Sequence, residues 1–238
     1  MKKNKTVSQL EKELETLDLS THVGSDGSRR RLVHPTKSKL LRRLRRENKT
    51  MHCVEEYKNA DHSLVIYHDE FIGNPRTENC NLFCLGLHGK YSFYNEDLPE
   101  SEYEDFLKSL KGNSEFLSFP VYCYEHGGVA FNTTGFSCPW DSGMIGFIYT
   151  NKWNVYQEYN VRRISPKLKE KLRDIAEAEL QELEDYVMGR GYGYYLYDED
   201  DNEINQCSGF LGDDHEKNGL FEHVFEWSDI EFKPEHLA

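Results

Sequence analysis

Residues 165–189 can hardly be anything other than one long amphipathic helix. Ser165 offers a side-chain cap, and Pro166 follows it at a first-turn position where the missing N–H costs nothing. Leu168, Leu172, Ile175, Ala176, Leu180, Leu183 and Val187 recur at three- and four-residue steps along one face, and Gly189 supplies the stop. A helix of that length with one apolar stripe has to bury it against a second layer. Residues 63–68, 82–88, 116–125, 129–132 and 144–150 offer such a layer. They are rich in β-branched and aromatic residues and are separated by Gly, Asn and Pro, which marks strands. Residues 192–197 and 203–210 flank Asp198-Glu199-Asp200-Asp201-Asn202 and read as a hairpin with an acidic tip. Residues 98–110 read as a further helix. The expected fold is α+β, a mostly antiparallel sheet with packed helices.

The first 50 residues have a different texture. Residues 6–17 fit a short amphipathic helix with Ser8 and Glu11 as a capping box, residues 24–28 (Gly-Ser-Asp-Gly-Ser) fit a linker, and a second helix is expected over about 36–48. The expected organisation is a basic helical appendage over 1–50 and one acidic α+β domain over 51–238, with a subdivision near 112–116.

Charge follows the same boundary. The 238 residues carry a formal net charge of −13, but residues 1–50 hold 14 Lys and Arg against 6 Asp and Glu, while residues 51–238 hold 15 against 36. The basic stretch 29–49 includes Arg29, Arg30, Arg31, Arg42, Arg43, Arg45 and Arg46. Such an arm suits nucleic-acid phosphates, an acidic partner, or the chain's own acidic body. The acidic body itself is no DNA-binding surface, because phosphate contacts need Lys and Arg. It suits a basic protein instead, with Glu177, Glu179, Glu182, Glu184, Asp185, Asp198, Asp200, Asp201, Asp213 and Asp214 as the contact residues. Tyr192, Tyr194, Tyr195 and Tyr197 fit either as anchors beside that charge or as core and cross-strand pairs. The long helix carries Lys167, Lys169, Lys171 and Arg173 in its first half and its acids in the second, which opposes the helix dipole. Stability alone would reverse that order, so tertiary pairing or function must set it.

No apolar run approaches the ~20 residues of a membrane helix, and the polar, lysine-rich start is not a secretory signal. A cytoplasmic protein of a bacterial host cell is expected, with reduced cysteines and no cofactor or metal. His68-Asp69-Glu70 with Cys80 and Cys84 misses the zinc deaminase pattern, since three residues separate the cysteines and no Pro precedes them. Cys80, Cys84 and His88 at four-residue steps on a strand lie about 13 Å apart, too wide for one zinc ion, so a buried thiol pair is expected. Residues 189–193 (Gly-Arg-Gly-Tyr-Gly) lack phosphate-loop spacing. Cys138, His126 and Asp141 supply the residue types of a Cys/His hydrolase or transferase. The alternative for that segment, with its motif loop Trp140, Asp141, Ser142 and Gly143, is a loop in which Pro139, Gly135 and Gly143 make turns, Trp140 packs and Asp141 caps a turn through its side chain.

The run from Pro120 to Gly128 (PVYCYEHGG), the run from Asn132 to Tyr149 (NTTGFSCPWDSGMIGFIY), EYNVRRIS at 158–165 and the acidic hairpin to Gly212 together carry a resemblance. Over about residues 115–213 the chain resembles a family of largely uncharacterised proteins of bacteriophages and conjugative elements. The resemblance brings no catalytic residues. It implies an accessory role in a mobile element, where small acidic proteins often blunt host defences. The functional expectation is a non-catalytic inhibitor that binds a host nucleic-acid-handling or anti-phage defence protein through acidic residues. The alternatives are the Cys138/His126/Asp141 enzyme and a nucleic-acid-binding protein working through 29–49.

Overall fold

A computed structural model describes residues 21–23, 29–31, 46, 53–94, 105, 109–110 and 113–238. The fold is α+β, with two four-stranded antiparallel sheets. It divides into two compact units. The first is built from residues 1–70 and 191–238, the second from 71–190. The helices expected over 6–17 and 36–48 and the linker at 24–28 lie outside the described residues, apart from Arg46, which is helical. So does most of 98–110, of which Asp105, Ser109 and Leu110 are helical.

In the first unit, β1 (Thr21–Val23) pairs with β2 (Arg29–Arg31) as a two-stranded ribbon. The main sheet combines β3 (Cys53–Asn59), β4 (His62–His68), β9 (Gly191–Tyr197) and β10 (Glu203–Leu211) in the order β10-β9-β4-β3. The β9–β10 pair is the expected hairpin. Leu64 stands opposite Leu196 and Ile66 opposite Tyr194, and this face buries Leu220, Phe221 and Val224 of the helix Leu220–Ser228. Tyr192 and Tyr194 therefore belong to the core, whereas Tyr195 stacks on Tyr67 at 4.8 Å. Gly193 makes room for that stack, since a Cβ there would sit 2.5 Å from the Tyr67 ring. The outer edge of β3 is paired by the C-terminal residues through a Tyr57–Leu237 bridge and Ala238 N–H to Glu56 O at 2.8 Å.

The second unit has the strand order β5-β8-β6-β7, from β5 (Cys84–Leu87), β6 (Phe116–Glu125), β7 (Val129–Asn132) and β8 (Ser142–Asn151). We label its helices α1 (Pro75–Glu78), α2 (Lys152–Glu158) and α3 (Pro166–Val187), and the helix Leu220–Ser228 of the first unit α4. Strand β6 alternates strictly, so that Leu117, Phe119, Val121 and Cys123 face Leu172, Ala176, Leu180 and Leu183 of α3. Pro120 is tolerated because β7 pairs only with Tyr122–Glu125, leaving one side of β6 unpaired at that point. Gly146 lies at φ 152° opposite Val121, at a bulge, where a Cβ would meet Gly86 O at 1.9 Å. Ser165 caps α3 by accepting from Leu168 N–H, and Met188 and Gly189 end it.

All six cysteines are free thiols. Cys80 is exposed and Cys84 half-buried, so the expected buried pair does not form. The reason is that Cys80 lies in the turn before β5 and not on the strand. Among the described residues no helix is long and apolar enough to cross a membrane.

Candidate functional site

The turn between β6 and β7 carries His126, and the loop between β7 and β8 carries Cys138 to Asp141. Backbone pairing of Glu125 N–H with Asp141 O at 2.8 Å brings the two together. His126 Nδ1 lies 3.4 Å from Asp141 Oδ2, and Cys138 Sγ donates to the same oxygen at 3.5 Å. The three residues do converge, but with the carboxylate in the middle. A Cys nucleophile needs the imidazole between thiol and acid, so that one ring nitrogen takes the thiol proton while the other is held by the carboxylate. The His126 side chain is also 71% exposed. Ser142 Oγ donates to Cys138 O and tightens the same turn. The arrangement closes a loop. Trp140, expected to pack there, is 91% exposed, and Gly143 has open space around it.

The acids of α3 occupy quite different surroundings from an exposed face. Glu179, Glu184 and Asp185 are buried, and Glu177 and Glu182 are half-buried. Glu179 Oε1 accepts from Leu82 N–H at 2.8 Å and Phe83 N–H at 3.3 Å, while Oε2 accepts from the buried Arg76 at 3.0 Å. Burial pushes the Glu179 carboxyl above its ordinary pKa against the pull of Arg76. Glu182 accepts from Asn79 at 3.0 Å. Glu184 accepts from Phe131 N–H at 3.1 Å, and Arg190 joins Glu184 and Asp185 at 3.2 and 3.0 Å. Glu177 accepts from both the N–H (2.9 Å) and the hydroxyl of Thr133.

One pattern unites these contacts. β7 is an edge strand, and Val129, Phe131 and Thr133 are the alternate residues whose N–H groups point outward from it. Met188 Sδ at 3.3 Å, Glu184 and Glu177 accept them in turn. The acidic half of α3 thus seals the sheet edge, and tertiary pairing accounts for the acids at the C-terminal half of the helix. Glu179, Glu184 and Asp185 are thus buried and paired within the unit, whereas Glu177 and Glu182 stay half-buried.

The acids of the first unit are also engaged. Asp198 caps the hairpin turn through Asp200 N–H and Asn202 N–H at 2.9 and 2.8 Å. Asp201 pairs with Arg46, Asp213 accepts from Tyr192 Oη at 2.6 Å, and Asp214 is held by Lys217 at 2.6 Å, which lowers its pKa. Asp200, Asp213 and Asp214 remain exposed.

Of the basic arm, Arg29–Arg31 form β2, and Arg42, Arg43 and Arg45 lie outside the described residues. Arg46 does not face solvent as a phosphate contact. Its guanidinium lies 4.8 Å from the Tyr197 ring centroid, pairs with Glu56 at 2.6 Å and Asp201, and donates to Ser63 Oγ at 2.8 Å. At this residue the arm docks on the chain's own acidic body.

The outer face of α4 is a feature the sequence reading passed over. Phe225 is 50% and Trp227 69% exposed, and they flank the exposed Glu222, Glu226 and Asp229. The signal was present: Leu220, Phe221 and Val224 already complete the buried stripe of a nine-residue helix, leaving two large aromatics in surplus. Among the described residues no cluster of His, Cys, Asp or Glu is placed to hold a metal ion. Comparison with protein families, with curated proteins and with solved structures finds no match to this chain.

Proposed function

We propose that this protein is a non-catalytic accessory protein of a mobile element that binds and blocks a basic host protein, one that handles nucleic acid or serves in anti-phage defence. The mobile-element setting rests on the resemblance over 115–213. The observation that carries the binding role is the α4 face, where Phe225 and Trp227 stand open to solvent beside Glu222, Glu226 and Asp229. Large aromatics are the side chains that anchor protein interfaces, and the surrounding charge sets partner choice and encounter rate. Residues 191–238 hold 13 Asp and Glu against two Lys, so a basic partner is drawn to this end of the chain. The His126–Asp141–Cys138 order supports the non-catalytic side of the proposal.

The test is capture from host lysate followed by binding of the purified partner. Phe225→Ala/Trp227→Ala should weaken binding by at least about 30-fold, chiefly through faster dissociation. Glu222→Gln/Glu226→Gln should slow association and flatten its salt dependence. All four side chains are solvent-exposed, so both variants keep the fold. A partner held equally by wild type and the aromatic variant, or no partner at all, refutes the proposal.

A further inference from the structure

The acids of α3 have a structural explanation; of the cations at its other end, Arg173 lies over the Phe119 ring at 5.1 Å and Lys171 over Tyr159, and the rest have none. Arg162, Arg163, Lys167 and Lys169 are exposed, and among the described residues none of them is in an ion pair. They accumulate at the positive end of the α3 dipole, where each raises the local potential further. Residues 162–173 hold six Lys and Arg against one Glu, within a unit (71–190) that has 12 bases and 18 acids. This is the one strongly positive region of that unit's described surface.

An open groove of about 880 Å³ lies at the same place, a size typical of small-ligand sites. Arg162, Arg163, Lys167 and Lys171 line it, with Glu170 and Asp174 also on its wall. Its apolar part comes from Tyr159, Val161 and Leu168, all half-buried, and Lys171 Nζ lies 5.0 Å from the centroid of the Tyr159 ring. A bare polyanion would leave that apolar surface uncovered, and a purely apolar ligand would leave Arg162, Arg163 and Lys167 without a counter-charge. A ligand with several negative charges joined to a flat, weakly polar body satisfies both.

The geometry points to this groove as a binding site for a nucleoside polyphosphate, with the phosphates on Arg162, Arg163 and Lys167 and the base over the Tyr159–Leu168 surface. Planar guanidinium groups suit phosphate oxygens, and an aromatic ring suits a base. The site lies in the second unit and is independent of the α4 proposal.

The test is titration calorimetry on the full chain with ATP, GTP, adenosine, inorganic triphosphate and a 12-residue oligothymidylate. The expected result is saturable one-to-one binding of ATP or GTP, with adenosine and triphosphate each at least about tenfold weaker. Arg162→Ala/Arg163→Ala should weaken nucleotide binding at least about tenfold. Lys169→Ala removes one positive charge from the same helix outside the groove lining and should change affinity less than about twofold. Both substitutions are at exposed positions, so folding is unaffected. Triphosphate binding as tightly as the nucleotide overturns the base-binding half of the site. Oligothymidylate binding more tightly than ATP replaces the site with a single-strand track, and absence of binding by every probe overturns the inference.

Discussion

Replacing Glu179 by Ala is the most direct perturbation of the second unit. The carboxylate holds three buried donors at once: Arg76 at 3.0 Å, Leu82 N–H at 2.8 Å and Phe83 N–H at 3.3 Å. The Arg76 side chain is only 2% exposed, so truncation strands a guanidinium whose other named contacts are Asn81 Oδ1 and Phe83 O. Breaking a buried pair by removing one partner typically costs about 3–5 kcal/mol, most of it the burden of the charge left behind. With a urea m-value of about 1.5–2 kcal/mol/M for a unit of this size, the midpoint should fall by roughly 2 M. Urea titration followed by far-UV circular dichroism reads this shift, and hydrogen exchange at the amides of residues 82–83 localises it. Arg76→Met/Glu179→Leu removes both charges and should recover most of the loss, because an apolar pair of similar volume is often neutral or better. A Glu179→Ala loss below about 1 kcal/mol, or a double variant worse than the single, would refute the reasoning.

Three further outcomes follow from the contacts described. Burial lowers the pKa of His215 against the pull of Glu55, Asp213 and Asp214, so the folded state prefers the neutral ring. Its contribution to stability is present above the unfolded pKa of about 6.5 and is lost as pH falls through the lower folded value; denaturant midpoints should drop from pH 7 to 5.5, and His215→Phe should flatten that slope. Glu184→Ala removes the acceptor of Phe131 N–H, and its amide should exchange roughly 10- to 100-fold faster with an otherwise preserved β6–β8 pattern. Cys138→Ala should leave folding and partner capture unchanged; loss of partner capture with the fold intact would restore a role for the thiol.

Much of the second unit was legible in the sequence because its periodicities are clean. Strands 116–125 and 129–132 and the 166–187 helix stand where alternation and 3.6-residue spacing put them. Other elements carry weaker local signals. β3 (CVEEYKN) is an edge strand with three charged residues, and α4 begins and ends at Gly219 and Asp229, both in the left-handed region, without a capping side chain. The division into units has no signature at 70/71 or 190/191, since β4 and β9 find each other across 122 intervening residues. The acidic residues mislead for a physical reason. Composition treats a carboxylate as a surface group, yet Glu177, Glu179 and Glu184 are consumed by backbone N–H groups from strands and turns far away in sequence. Only the residual exposure at Phe225 and Trp227 was within reach of a periodicity argument.

The interrupted first unit sets a schedule for synthesis. Where the chain leaves it, Asp69 N–H donates to Gly191 O at 2.8 Å, so the two ends of the intervening segment meet at one hydrogen bond. A ribosome reaches β9 only after adding the 120 residues 71–190, roughly 6–24 s at 5–20 residues per second. Throughout that interval β4 lacks its β9 partner, whereas the second unit has every strand of its own sheet once Asn151 is added. The nascent hairpin 53–68 therefore waits longest for its partner strand, and slowed translation between residues 71 and 190 prolongs that wait.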